Sequence, residues 1–406
     1  MLRVKPFQGL RPSPQLASEV ACVPYDVVNT EEAAVLALGK PHSLLHVDRA
    51  EIGLPPETDP YSAQVYAAAW QNFRDLQTQG ALIRETEPCM YLYQQRMGSH
   101  VQTGLATLCH IEDYEQDIIK KHEKTRKDKE DDRTRLIDTL SANTGPVFLT
   151  YRDQPEINGF VAQYTQTAPL YDFTAPDGIQ HTVWRVPAGA EFVSAFSRVP
   201  AAYVADGHHR TASAVRVGKE RRAKNPNHNG NEDYNWFLAV LFPASQLNIL
   251  PYNRAVKDLN GSPEETFLKT TGSVFRVQPN GSPSPTKPGE IRMYTGGRWY
   301  DLQWEPSAGA DPVSRLDVSG LQERLLAPVL GIDDPRTSKR VDFIGGIRGT
   351  GELVKLVDSG KAAVAFSMYP TTVDQLMEIA DAGQIMPPKS TWFEPKLRSG
   401  LFIHTF

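Results

Sequence analysis

The chain has 406 residues, of which 40% are hydrophobic and 22% charged, and this composition predicts a globular protein with substantial cores rather than a disordered one. Its net charge of -5 at pH 7 lacks the basic excess that duplex DNA binding usually needs, so we expect no nucleic-acid partner. Three widely spaced cysteines argue against a disulfide framework, and no apolar run reaches membrane-spanning length, so we expect a cytoplasmic protein with no membrane partner.

The first half of the chain alternates helical and extended patterns. Apolar residues at helical spacing predict a helix over residues 60–82. Residues 90–95 and 101–111 predict a hairpin around the turn at Gly98 and Ser99, and we expect it at a sheet edge. The dense charge run over residues 112–139 predicts a helical or partly mobile segment, and its mixed signs are also typical of a solvated helix.

The second half adds further strands and helices without a strict βαβ rhythm. Residues 145–151, 201–205 and 237–244 predict buried strands, and residues 211–224 predict a helix. Residues 279–290 indicate a linker, and the turn at Gly296 and Gly297 indicates a hairpin. We therefore predict an α+β (mixed α/β) class, with an N-terminal segment at 1–110, a core at 111–277 and a C-terminal segment at 291–406.

Residues 206–211 carry the clearest functional signal. A strand leads to Asp206, Gly207 permits a tight turn, and a helix opens at His208, leaving backbone N–H groups unpaired for an anion. Arg210 offers a planar fork to phosphate oxygens and Thr211 offers a hydroxyl, while Asp206 either caps the helix or holds Mg²⁺. An ordinary capped helix with locally satisfied histidines is the alternative.

The stretch VADGHHRTASA is similar to the signature of the ParB and sulfiredoxin superfamily, in the version carried by the free-serine kinases. The whole chain resembles the bacterial and archaeal proteins numbered 1015 in the domain-of-unknown-function series, through PFQGLRP, VPYDVV, KKHEKTR, LPYNR and MPPKSTWFEPKLRSG. The resemblance implies a ParB/sulfiredoxin-like core with additional N-terminal and C-terminal α/β segments. It also implies a phosphate cradle at residues 206–211, with His208 and His209 within it, and an amino-acid hydroxyl as phosphate acceptor.

In the kinases a glutamate from an earlier segment acts as general base, and no motif fixes its equivalent here. Glu51 and Glu123 are the candidates, and basic neighbours favour Glu123. Other candidates for phosphate binding in the same charged run are His122, Thr125 and Arg126. The segment is not a zinc-protease helix, because HExxH needs histidine at position 126.

Three further places offer weaker candidates. The terminal loop has near-P-loop spacing but carries Pro388 where such loops need glycine, so a proline-braced structural loop is the alternative. Its candidate phosphate-binding residues are Lys389, Ser390, Thr391 and Lys396. Arg254 is a phosphate clamp or an ion-pair partner, and Tyr25 with Asp26 either contacts substrate or forms local hydrogen bonds.

These features lead to one hypothesis and its alternatives. We expect a kinase of a small hydroxylated metabolite, most directly free L-serine, that makes O-phosphoserine from pyrophosphate, ATP or ADP with Mg²⁺. In this hypothesis Asp206, His209 and Glu123 or Glu51 are catalytic. The alternatives are a phosphoserine phosphatase and a nucleotide-gated binding protein without turnover. A nuclease or metal hydrolase is disfavoured by the lack of a ligand cluster in the sequence, and a homodimer stays open.

Overall fold

The computed structural model describes residues 1–406 and divides into two compact units. The first unit comprises residues 1–247 and 395–406, and the second comprises residues 248–394. Helices and sheets mix in both, which confirms the predicted α+β class. None of the helices combines the length and the apolar character that crossing a membrane requires.

The first unit contains twelve strands before the second unit begins, and one more near the C-terminus. The twelve are β1 (Val4–Lys5), β2 (Leu10–Pro12), β3 (Leu82–Arg84), β4 (Cys89–Met97), β5 (His100–His110), β6 (Ile119–Lys120), β7 (Ala142–Asn143), β8 (Val147–Tyr151), β9 (Tyr171–Thr174), β10 (Gln180–Pro187), β11 (Ala202–Asp206) and β12 (Trp236–Pro243). Its helices are α1 (Ala17–Val20), α2 (Thr30–Ala37), α3 (Leu45–Asp48), α4 (Ala63–Thr78), α5 (Ile111–Glu115), α6 (Lys127–Leu140), α7 (Pro155–Tyr164), α8 (Ala190–Phe196) and α9 (His208–Lys224).

A nine-stranded sheet organises the first unit. Its order is β6-β11-β8-β12-β5-β4-β10-β9, and β1 pairs with β5. The pairs β8–β12 and β6–β11 are parallel, and the others are antiparallel. The register of β11 against β8 shifts between Val204 and Asp206, and such irregularities often end a strand beside a functional site.

The helix predicted over residues 60–82 is confirmed as α4, whose buried face carries Val65, Ala69, Phe73 and Leu76. The predicted hairpin is confirmed as β4 and β5, but its expected place at a sheet edge is wrong. β4 also pairs with β10 and β5 with β12, so both strands lie inside the sheet. Their near-continuous burial, rather than alternation, is typical of strands covered on both faces.

Strand pairing crosses the segment boundary predicted at residue 110. β4 and β5 precede it, whereas β8, β11 and β12 follow it, and all five share one sheet. Residues 1–110 and most of the predicted core therefore lie in the same compact unit.

The second unit has its own sheet. Its strands are β13 (Asn248–Leu250), β14 (Tyr252–Val256), β15 (Arg276–Pro279), β16 (Glu290–Thr295), β17 (Arg298–Gln303), β18 (Val341–Gly345), β19 (Val364–Met368) and β20 (Trp392–Glu394), and its helices are α10 (Glu264–Val274), α11 (Asp317–Leu321), α12 (Gly349–Asp358) and α13 (Val373–Asp381). Six strands pair antiparallel in the order β15-β17-β16-β19-β14-β18. The hairpin predicted at Gly296 and Gly297 is confirmed as β16 and β17. The last strand, β21 (His404–Thr405), pairs with β7 in the first unit.

Candidate functional site

The turn from β11 into α9 leaves helix amides without a partner within the helix. Gly207 adopts a left-handed φ of 90°, and its N–H donates to Oδ1 of Asp206 at 2.9 Å. The first helical bond runs from the N–H of Thr211 to the carbonyl of Gly207 at 2.9 Å, and no side chain caps the helix. The N–H groups of His208, His209 and Arg210 therefore have no intrahelical acceptor, which suits an anion. We call residues 206–210 the α9 entrance.

Two cations flank Asp206 at the α9 entrance. Nζ of Lys396 lies 3.1 Å from Oδ2 of Asp206, and Gln95 donates to the Lys396 carbonyl at 2.8 Å. Burial raises the pKa of the Asp206 carboxyl, but Lys396 and Arg210 outweigh it and hold that pKa well below its ordinary value. Asp206 is therefore ionised at neutral pH, and both its oxygens already accept hydrogen bonds.

Arg210 points inward rather than toward solvent. Its Nη1 donates to the carbonyl of Pro146, and its buried Nε makes no hydrogen bond within the protein. A Cβ placed on Gly207 would lie 3.1 Å from that Nε, so the guanidinium packs directly against the turn. Arg210 thus brings its positive charge and one unsatisfied donor to the buried side of the α9 entrance.

Beyond Arg210 lies a partly open cavity of about 30 Å³ that the sequence did not reveal. Tyr25, Asp48 and Arg133 line it, and the Arg133 guanidinium stacks 4.0 Å from the Tyr25 ring centroid. The hydroxyl of Thr144 donates to Asp48 at 2.6 Å, and burial raises the pKa of the Asp48 carboxyl. Such a volume suits one or two water molecules and is too small for a metabolite.

His209 is held by the segment that carries Arg126. The Arg126 N–H donates to Nε2 of His209 at 3.0 Å, so the neutral ring carries its proton on Nδ1. Burial lowers the pKa of His209, although Asp26 opposes that shift. The Arg126 guanidinium itself is exposed and pairs with Asp128 at 2.8 Å.

His208 lies beside His122 and Glu123, and we call these three residues the histidine cluster. The two imidazole rings meet edge to face with centroids 4.5 Å apart, and Nδ1 of His208 lies 3.9 Å from Oε2 of Glu123. Burial lowers the pKa of His208 to about 4 and that of His122 well below its ordinary value. Both rings are therefore neutral at pH 7. The sequence singled out each residue but not their meeting.

Other predicted residues have local partners. The Thr125 hydroxyl donates to Glu130 at 2.8 Å, and the fully buried Thr211 hydroxyl donates to the Gly207 carbonyl at 3.0 Å. Glu51 pairs with Nε of Arg49 at 2.7 Å. Burial raises the pKa of the Tyr25 hydroxyl, whereas Asp26 is exposed.

Arg254, Lys389, Ser390 and Thr391 belong to the second unit, whereas Lys396 belongs to the first. Nη2 of Arg254 donates to the Lys389 carbonyl at 3.1 Å, and burial lowers the pKa of Arg254 to about 10. The Ser390 hydroxyl donates to the Pro387 carbonyl at 2.7 Å, and Thr391 directly precedes β20. The loop continues into a strand rather than a helix, so it lacks the helix N-terminus of a P-loop. These contacts match the alternative of a proline-braced structural loop.

The fold and the site together define an α+β protein in which an uncapped helix N-terminus lies beside a buried pair of histidines. The chain belongs to the family described as Protein of unknown function (DUF1015), whose sequence profile matches residues 4–319. Comparison with curated proteins gives no match. Assignment of the core to the ParB and sulfiredoxin superfamily stays a prediction.

Several solved structures resemble the chain at low identity. A conserved hypothetical protein from Pyrococcus furiosus is 11% identical with a TM-score of 0.37, covering 72% of this chain and 93% of its own. SbnI with a C-terminal truncation, from Staphylococcus aureus, is 12% identical with a TM-score of 0.39, covering 72% and 85%. A free serine kinase in complex with AMP is 11% identical with a TM-score of 0.39, covering 73% and 91%. The identities and the TM-scores are all low.

Proposed function

We propose that the protein is a phosphotransferase that moves a phosphoryl group from pyrophosphate, ATP or ADP to a small hydroxylated metabolite. Free L-serine is the proposed acceptor and O-phosphoserine the product. The observation that carries the proposal is the α9 entrance, where the N–H groups of His208, His209 and Arg210 lack intrahelical acceptors beside two cations. Backbone amides and fixed cations stabilise the charge of a transferring phosphoryl group without reorganising.

The proposed step needs a proton acceptor near the α9 entrance. Glu123 lies 3.9 Å from Nδ1 of His208, the first residue of α9. We therefore assign the base role to Glu123. The serine hydroxyl oxygen attacks phosphorus, its proton passes to the Glu123 carboxylate, and the bond from phosphorus to the donor's bridging oxygen breaks. The leaving group, which is phosphate from pyrophosphate, ADP from ATP or AMP from ADP, departs with the electron pair of that bond.

Mg²⁺ does not fit Asp206 as the structure has it. Oδ2 of Asp206 accepts from the Lys396 ammonium and Oδ1 from the Gly207 amide, and the Arg210 charge is close by. Mg²⁺ needs oxygen ligands at about 2.1 Å in near-octahedral array, and neighbouring cations oppose it. We therefore assign no part of the reaction to a magnesium ion on Asp206.

Incubation of the full-length protein with L-serine and each donor in turn tests the proposal. We expect O-phosphoserine, detected by mass spectrometry, with at least one donor. Donor binding without turnover would favour the nucleotide-gated binding protein instead. Release of phosphate from phosphoserine without the forward reaction would favour the phosphatase.

A further inference from the structure

We propose that His122, Glu123 and His208 together bind one divalent transition-metal ion of the zinc type. One donor atom from each residue lies within 4.8 Å of the other two. The residues come from separate parts of the chain, since His122 and Glu123 follow β6 whereas His208 opens α9. The parallel pairing of β6 with β11 brings these two segments side by side.

The burial of both histidines points to a missing ligand. His122 is 2% exposed and His208 is 5% exposed. Neither ring nitrogen of His122, nor Nε2 of His208, makes a hydrogen bond of normal geometry, although the backbone of Val204 interacts with one nitrogen of His122. Buried polar atoms are nearly always satisfied, so the other His122 nitrogen and Nε2 of His208 call for an explanation. A bound metal ion supplies it, because it accepts the lone pair of a neutral imidazole nitrogen.

The donor set selects the kind of metal. Two imidazole nitrogens and one carboxylate oxygen match the ligands of zinc sites that keep an open fourth position, whereas Mg²⁺ and Ca²⁺ prefer oxygen alone. Ligand atoms around a tetrahedral zinc stand about 3.3 Å apart, given bond lengths of about 2.0–2.1 Å. The present spacing, up to 4.8 Å, therefore requires the cluster to close slightly. Glu123 is the least buried of the three residues, with 41% of its side chain exposed.

The site goes beyond the proposed phosphotransferase and does not depend on it. His208 is both a proposed ligand and the first residue of α9, so the metal lies next to the α9 entrance. A carboxylate that binds a metal through one oxygen keeps a second oxygen as a proton acceptor. The metal site and the proposed base role of Glu123 are therefore compatible.

Calorimetric titration of the tag-free full-length protein with Zn²⁺ tests the proposal. We expect one ion per chain. His122→Ala and His208→Ala should each weaken Zn²⁺ binding by at least about 100-fold, because the loss of a residue that only supports a ligand already weakens metal binding by up to about 100-fold. His228→Ala is the matched control, because His228 pairs with Glu232 at 2.8 Å away from the cluster and should bind Zn²⁺ like the wild type. Co²⁺ gives a second readout, since its visible spectrum reports tetrahedral coordination.

A second variant keeps the proposal testable if the variants of the buried histidines misfold. Glu123→Gln changes a partly exposed side chain, and we expect it to stay folded by circular dichroism and to bind Zn²⁺ at least tenfold more weakly. Absence of stoichiometric Zn²⁺ binding by the wild type overturns the proposal, as does wild-type affinity in folded Glu123→Gln. Zn²⁺ binding without any phosphoserine would overturn the phosphotransferase alone, and phosphoserine without Zn²⁺ binding would overturn the metal site alone.

Discussion

Replacement of Gly207 by alanine perturbs the α9 entrance through a single methyl group. Gly207 has a φ of 90°, where a side chain strains the backbone by roughly 1–2 kcal/mol. The new Cβ would also lie 3.1 Å from Nε and 3.2 Å from Cζ of Arg210. These contacts are tighter than ordinary van der Waals contact, so the buried guanidinium must shift by a few tenths of an ångström. Gly207→Ala therefore strains the turn and displaces a cation together.

A matched variant separates these two effects. Gly80, which follows α4, has a φ of 72°, and a Cβ added there meets nothing within 4 Å. Gly80→Ala should therefore carry the backbone strain alone. At about 2–4 °C per kcal/mol, we expect both variants to lose a few degrees in Tm. Only Gly207→Ala should also bind pyrophosphate more weakly, by about tenfold or more, because a loss of about 1.4 kcal/mol corresponds to tenfold.

Differential scanning fluorimetry and calorimetric titration with pyrophosphate measure the two effects. The expected pattern is two similar losses in Tm and one loss of affinity. If folded Gly207→Ala bound pyrophosphate as tightly as Gly80→Ala and the wild type, the α9 entrance would not be the phosphate site.

Three further predictions concern proton transfer, charge and pH. Glu123→Gln should lower kcat by about 10²–10⁴-fold with little change in donor affinity, whereas Glu51→Gln should leave kcat near wild type; steady-state kinetics that showed the reverse would move the base role to Glu51. Lys396→Met should raise the pKa of Asp206, because the carboxylate loses its 3.1 Å partner. The same change should weaken pyrophosphate binding about tenfold, because the α9 entrance loses one of its two cations, and an unchanged calorimetric affinity would contradict this. Burial and the nearby Arg398 lower the pKa of His181 to about 3. Between about pH 6.5 and pH 3, His181 is therefore protonated in the unfolded chain and neutral in the folded chain. Urea unfolding should therefore show stability falling by a few kcal/mol as pH drops through that window, and a flatter profile in His181→Gln; identical profiles would refute this origin.

Local patterns predicted much of the secondary structure. The apolar spacing behind α4 and the glycine pair between β16 and β17 gave the right elements, because each depends on residues close together in sequence. The place of β4 and β5 inside the sheet was missed, since a strand's neighbours are set by distant partners. The apolar run at the start of β4, without polar alternation, was the signal that favoured a covered position.

The candidate site was predictable only in part. The strand, glycine and helix of the α9 entrance follow from local chemistry and are present. The inward course of Arg210 was not predictable, because it depends on the Pro146 carbonyl. Removal of Arg210 therefore also breaks a buried hydrogen bond of a charged group, which costs roughly 1.5–3 kcal/mol of stability. A loss of binding in Arg210→Ala could not be separated from this loss of stability.

The histidine cluster shows the same limit most clearly. The sequence offered the adjacent pair His208 and His209, whose side chains diverge on a helix. The structure instead joins His208 to His122 through the pairing of β6 with β11. A spacing rule that applies within one segment cannot predict a ligand set that is assembled from two separate segments.

Crystals of the full-length protein soaked with pyrophosphate test the central claim most directly. We predict phosphate oxygens within about 3 Å of the N–H groups of His208, His209 and Arg210, the distance of a normal hydrogen bond. Pyrophosphate bound elsewhere, or a protein carboxylate occupying those three N–H groups in the soaked crystals, would contradict the account.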